Sequence, residues 1–404
     1  MNEVRKNSTQ WMLWLGLALC TLYQSYRYPL QINSSLTSPT YSDTPFILQL
    51  GKFILALPLF VGAAAQCFRK QISLQQWLIV LAVLFLSLFA LLKAFATGGT
   101  EYLEAAFWMP FSLVLVWASD AISIKAIDRF LKIVLIYALV SNVIEVLLFL
   151  FLGRLPALAY ENSFSVRFGG FLDDPNGFAA LLFLLMGWSY GRFRGRTRKF
   201  VLTCIVVSLL ITQSGTAVIV SVVMFVFWAM TSVTKHPLRV MMILCGGVGL
   251  TAFAIYNIPD SAISIMQSLM ESKQGSADQH MFPWAEVAPR WAEWIMHGNS
   301  EYIHYESWWE GALVNFGAPW LCVDFVLIVA CMFSLKAALA RASEEARPVY
   351  LGFFLFGSYF LLGSFNLALS QGFPINVFFF VFSFLVVFKK IQPENANMRQ
   401  GSAS

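Results

Sequence analysis

Solid apolar blocks, rather than alternating positions, dominate this chain. They run near residues 11–27, 45–67, 76–97, 103–119, 130–152, 176–191, 200–213, 215–233, 239–257, 318–339, 349–366 and 374–388. Most have the length a helix needs to cross a hydrocarbon core, roughly 17–25 residues. The period-two alternation of a membrane β-barrel is missing. The pattern therefore predicts an all-α, polytopic transmembrane helical bundle of about twelve spans. The seventh and eighth blocks meet at Thr212-Gln213-Ser214-Gly215, which calls for a tight turn, and residues 307–317 predict a short re-entrant or interfacial helix. Four regions follow: spans one to nine over 1–257, a large external loop with short helices over 258–317, spans ten to twelve over 318–390, and a polar tail over 391–404 predicted to be disordered. The first block, from Trp11, runs on without a small-residue cleavage site and reads as a signal anchor.

Composition agrees. The 404 residues are 58% hydrophobic and only 12% charged, about half the charge of an ordinary soluble domain. Placement of charge sets orientation. With the amino terminus inside, the inner loops receive Arg5 and Lys6; Arg69 and Lys70; Lys125, Arg129 and Lys132; Arg192, Arg194, Arg196, Arg198 and Lys199; Lys235 and Arg239; Lys336, Arg341 and Arg347; and Lys389, Lys390 and Arg399. These are 20 of the 27 basic residues, as the positive-inside rule requires. The run GRFRGRTRK over 191–199 is thus a topology determinant, not a nucleic-acid patch, and no nucleic-acid partner is expected. The six cysteines lie in or beside apolar blocks, with no pattern for a disulfide framework or a metal.

The seven remaining cations, Arg27, Lys52, Lys93, Arg154, Arg167, Lys273 and Arg290, all fall on the outer side or within the outer half of spans. Lysines inside spans either snorkel to headgroups or face a cavity or partner charge. Glu145 and Asp324, also within predicted spans, are candidate partners for Lys52 or Lys93. The stretch FSVRFGGFLDDPNGFAALLFLL over 164–185 concentrates polar and turn-forming chemistry at the outer end of the sixth block. Asp174 suits an N-cap and Pro175 the first helical position. A cap does not require Arg167, Gly169 or Gly170, and paired glycines permit close backbone approach to a ligand.

The spacing Arg167, Gly170, Pro175, Asn176 resembles the R-x-x-G-x-x-x-x-P-N signature of the O-antigen ligase and Wzy polymerase superfamily. LLITQSGTAVIV is similar to that family's T-x-S-R element, with Gly215 where the family has arginine. HYESWWEGALVNFGAPWL is similar to its (H/E)-(N/S)…G element, and the pair Glu306-Ser307 resembles the polymerase branch. The resemblance implies a GT-C-like, metal-independent, inverting glycosyltransferase in the bacterial inner membrane with its active site facing the periplasm. It would use no cofactor. The donor would be an undecaprenyl-diphosphate-linked glycan and the acceptor another glycan or lipid A-core; the resemblance leaves open a chain-length co-polymerase as partner. Arg167 and Arg290 would hold the leaving diphosphate, and Glu306 or His304 would take the acceptor proton. Lys52, Lys93 and Arg27, with Gly170, Asp174 and Asn176, would bind substrate. Trp291 and Trp308 would offer a stacking floor for sugars, or simply an interfacial belt. Arg290 could equally pair with Glu286 or Glu293, and Glu306 could cap the helix that follows it. The alternatives are an O-antigen ligase and, from another class, a secondary transporter or flippase using Lys52, Lys93, Glu145 and Asp324; the lack of internal repeats argues against the latter.

Overall fold

The structure, a computed structural model, describes residues 10–26, 46–68, 70–99, 101–152, 167–172, 174–233, 292, 294–299, 301–303, 307–365 and 372–392. It is mostly helical. In chain order the helices are α1 Gln10–Leu22, α2 Phe46–Cys67, α3 Leu74–Thr97, α4 Tyr102–Ala118, α5 Ile124–Leu152, α6 Pro175–Arg192, α7 Gly195–Thr212, α8 Gly215–Val233, α9 Trp308–Phe316, α10 Ala318–Arg341, α11 Arg347–Gly363 and α12 Ile375–Val387. A 3-10 turn over Gly170–Leu172 precedes α6. Two short strands, β1 Ile122–Ser123 and β2 Ile391–Gln392, pair in parallel, Ile122 opposite Ile391. The tail predicted from residue 391 therefore begins in a strand, because the backbone of Ile122 donates to the Lys390 carbonyl at 2.6 Å.

A helix stands at every apolar block except 239–257, which lies outside the described residues, as do 258–291 of the predicted loop and the tail from 393. Two helices begin earlier than apolarity alone suggests. α5 starts at Ile124 rather than near 130, and α7 at Gly195 rather than near 200. Their opening turns carry the charged residues that apolar patterning treats as loop. In α5 one of these, Asp128, is tied down: it accepts from Trp188 Nε1 and Arg192 Nε, both at 2.9 Å. α3 starts at a capping box, with Ser73 N donating to Gln76 Oε1 at 2.8 Å and Gln76 N to Ser73 Oγ at 3.4 Å.

Among the described residues, four segments are long and apolar enough to cross a membrane: Leu50–Cys67, Leu74–Thr97, Ile124–Phe151 and Ala318–Arg341. A 24-residue helix rises about 36 Å, more than the roughly 30 Å of a hydrocarbon core. Their outward faces are large and apolar. Ile54 is 60% exposed, Leu92 68% and Ile133 59%, a surface that suits lipid rather than water.

Two helices lie at the centre. α6 and α12 are buried nearly all round, which fits helices that are apolar on every face. α6 runs along α11 with backbones in close approach. A Cβ on Gly187 would stand 2.8 Å from the Leu351 carbonyl oxygen, and one on Gly352 2.8 Å from that of Leu184. Small residues at a crossing replace the hydrophobic drive that lipid removes. Stacked phenylalanines join α11 to α12: Phe360 on Phe379 at 3.9 Å and Phe353 on Phe382 at 4.4 Å.

Candidate functional site

The helix start that carries Asp174 also organises the charge beside it. Asp174 accepts from Asn176 N and Gly177 N, both at 2.9 Å, and so caps α6 as its sequence predicts. Capping turns the Asn176 side chain toward the α7–α8 turn. There its Oδ1 accepts from Arg167 Nη2 at 3.0 Å and from Ser214 Oγ at 2.7 Å. Arg167 Nε also donates to the Thr212 carbonyl at 3.3 Å. Tyr359 of α11 donates its hydroxyl to the Asn176 carbonyl at 3.2 Å. Thr212, Ser214 and Tyr359 are buried, while Arg167, Asp174 and Asn176 are half-buried. Two segments, the start of α6 and the α7–α8 turn, thus hold one guanidinium in place, with its remaining N–H groups uncommitted to these partners.

The segment before α6 is packed, not loose. Gly170 N donates to the buried Glu145 carboxylate of α5 at 2.7 Å, and Phe171 lies 4.6 Å from the Tyr137 ring. Gly170 has φ +57, and a Cβ there would meet Phe178 at 2.4 Å. The close approach predicted at this glycine is therefore made to Phe178 of α6.

Lys52 and Lys93 belong to a second group. Lys52 pairs with Glu104 in the first turn of α4, where the helix dipole also favours a carboxylate. Its ammonium lies 5.4 Å from the Phe53 and Phe373 ring centres. Lys93 donates to the Asn299 carbonyl and sits 5.7 Å from the Tyr102 ring, with no carboxylate partner among the described residues. The Tyr102 and Tyr302 rings meet edge-on at 5.2 Å. Burial, followed by the charge of Glu104, pushes the Tyr302 hydroxyl up to about 12. The two groups adjoin through α12: Phe373 touches Lys52, and Ile375 Cγ1 stands 3.0 Å from where a Cβ on Gly177 would be.

Several sequence expectations change here. The partner found for Lys52 is Glu104 and for Lys93 a backbone carbonyl, rather than Glu145 or Asp324. Glu145 serves Gly170, and Asp324 accepts from Trp308 Nε1 at 2.7 Å. Trp308 is 3% exposed and stacks on Phe325, so its ring is neither a sugar platform nor an interfacial belt. Arg27, Arg290, Trp291, His304 and Glu306 lie outside the described residues. The described residues that flank 304–306 are tied down. Buried Asn315 binds Ile303 through both its backbone groups at 2.8 Å, Ser307 Oγ donates to Glu310 at 2.6 Å, and Trp308 N donates to the Ser364 carbonyl at 3.0 Å. Sequence reasoning missed Tyr359, Glu104 and Tyr302, while Thr212 and Ser214 were marked by the T-x-S-R resemblance and the predicted turn but not placed against Arg167 or Asn176. Set against protein-family models and against curated proteins, the chain matches none.

Proposed function

We propose that this chain is a polytopic, GT-C-like membrane glycosyltransferase of the polysaccharide-polymerase type. It has about twelve spans, sits in the bacterial inner membrane and joins lipid-diphosphate-linked oligosaccharide units on the outer face. The observation that carries the reading is the convergence of Arg167, Asn176 and the Thr212–Ser214 turn. These are residues of two separate motif resemblances, and they meet through direct hydrogen bonds. It also supplies what Gly215 lacks: a basic side chain at that turn comes from Arg167 instead.

In this reading the acceptor hydroxyl attacks the anomeric carbon of the donor sugar. The new glycosidic C–O bond forms as the bond from that carbon to the diphosphate breaks. The lipid diphosphate leaves with the electron pair, its growing charge met by Arg167, which is always protonated and bidentate toward phosphate. The acceptor proton passes to Glu306 or His304. No metal or covalent intermediate takes part.

The test is gel analysis of polysaccharide and lipid carrier in a deletion strain complemented with variants. Single repeat units on the lipid A core, or loss of an exopolysaccharide, are expected on deletion. Arg167→Ala should reproduce that loss while still reaching the membrane. Full-length polymer stranded on the lipid diphosphate would replace polymerase by ligase. Transport by reconstituted vesicles without glycosidic bond formation would overturn both.

A further inference from the structure

The opposite end of the bundle holds a second gathering of positive charge. α4 ends there, and its last carbonyls point at lysines from distant parts of the chain. Lys70, after α2, donates to the carbonyls of Ala118 and Ser119, the latter at 3.0 Å, and to Asp120 Oδ1 at 3.0 Å. Lys390, after α12, donates to the same Ser119 carbonyl at 2.7 Å and to that of Trp117 at 3.4 Å. Two ammonium groups thus share one acceptor. Lys389 stands beside them, exposed, with no side-chain hydrogen bond among the described residues. Its backbone is left-handed, φ +53, a conformation a lysine adopts at some cost.

These groups line a cavity of about 400 Å³ together with Gln71, Gln76 and Trp117, within the size range of small-ligand sites. The lining is rich in donors. The Trp117 indole N–H is buried and has no acceptor among the described residues. Among the described residues Asp120 is the one acid on the wall, already paired with Lys70. The capped start of α3, at Ser73, adds the positive end of a helix dipole. Capping by lysine explains why one cation meets the carbonyls of α4. Inward placement of basic residues explains which side they occupy. Neither explains three lysines converging on one donor-lined hollow.

We propose that this cavity binds a phosphate group at the membrane edge, its ammonium groups meeting the anionic oxygens while Ile72 and Phe388 line the apolar side. The phosphate belongs either to an anionic lipid of the adjoining leaflet or to a soluble phosphate; the site chemistry is the same. It stands apart from the glycosyltransferase reading and from the Arg167 group.

The experiment is native mass spectrometry of the full chain in neutral detergent, with phosphatidylglycerol, phosphatidylcholine or inorganic phosphate added. Selective retention of phosphatidylglycerol over phosphatidylcholine is expected, competed by inorganic phosphate. Each lysine near a surface adds about 1 kcal/mol toward an anionic headgroup, so Lys389→Gln with Lys390→Gln should weaken binding roughly thirtyfold and Lys389→Gln alone about fivefold. Lys336→Gln with Arg341→Gln, a basic pair elsewhere on the same predicted side, should leave it unchanged. Binding of inorganic phosphate without lipid selectivity, lost in the same variants, assigns the site to a soluble phosphate. If the double variant fails to fold, exposed Lys389→Gln alone carries the test. Equal retention of phosphatidylglycerol by wild type and a folded Lys389→Gln protein, or no retention of either ligand by wild type, overturns the proposal.

Discussion

Asn176 shows how much one side chain can organise. Its Oδ1 receives both Arg167 and Ser214, and its carbonyl receives Tyr359. Asn176→Leu would strip the buried Ser214 hydroxyl and the guanidinium of an acceptor. At about 1–3 kcal/mol for each group left unsatisfied, a measurable fall in Tm is expected together with loss of chain growth. Asn176→Asp keeps an acceptor for both, so it should hold Tm while its added charge opposes an incoming anion; scanning fluorimetry beside the polysaccharide gel separates the two effects. Lys390 predicts a pH response. Burial, then the charge of Lys70, pushes its ammonium from near 10.5 down to about 8, with Asp120 opposing. Between those values the unfolded chain binds more protons than the folded one, so stability should rise with pH from about 8 to 10.5. The Tm of the wild type measured across that window should climb, and that of Lys390→Gln should climb less. At this scale the sequence was readable where residues sit close together: Asp174 and Pro175 announce a helix start by adjacency. Ser214 and Tyr359 join Asn176 from 38 and 183 positions away, a proximity that only folding creates.

Among the elements, the α6–α11 crossing is the most demanding. Gly187→Leu or Gly352→Leu would drive a side chain into backbone that cannot yield, since the nearest obstacles are carbonyl oxygens at 2.8 Å. Overpacking of this kind costs typically 1–3 kcal/mol. Lower yield of monodisperse protein in size-exclusion chromatography is expected. Gly215 offers the contrast. Nothing lies within 4 Å of a Cβ there, so Gly215→Ala should leave Tm unchanged or raise it slightly. Helix positions were legible from apolar periodicity because lipid-facing helices are apolar for most of their length. Their true starts were not, because α5 and α7 extend into charged turns, that of α5 held through Asp128 by Arg192 and Trp188. Burial of α6 and α12 on every side was also hidden, since a central helix and a lipid-bathed one read alike in sequence.

For the molecule as a whole, the testable quantity is orientation. In a background with native cysteines replaced, Lys389→Cys should react with a membrane-impermeant maleimide only after the membrane is opened. Gln213→Cys, in the α7–α8 turn beside Arg167, should react in intact cells. The reverse labelling would invert the assigned sides and remove the reading of Arg167 as an outer-face group. The general character of the chain, a helical membrane protein, was evident from composition; the convergence of Lys70, Lys389 and Lys390 was not, because hydropathy records how many charges a turn holds and not what they meet. The pairing of Ile122 with Ile391, reinforced by Lys390 on Ser119, has a consequence for biogenesis. The carboxyl end of α4 leaves the ribosome well before Lys390, a finishing partner 271 residues further along the chain. Until it arrives, that end waits unsealed at the translocon exit, so a nascent chain stopped before residue 390 should be open to proteases at the α4–α5 junction in a way the released protein is not.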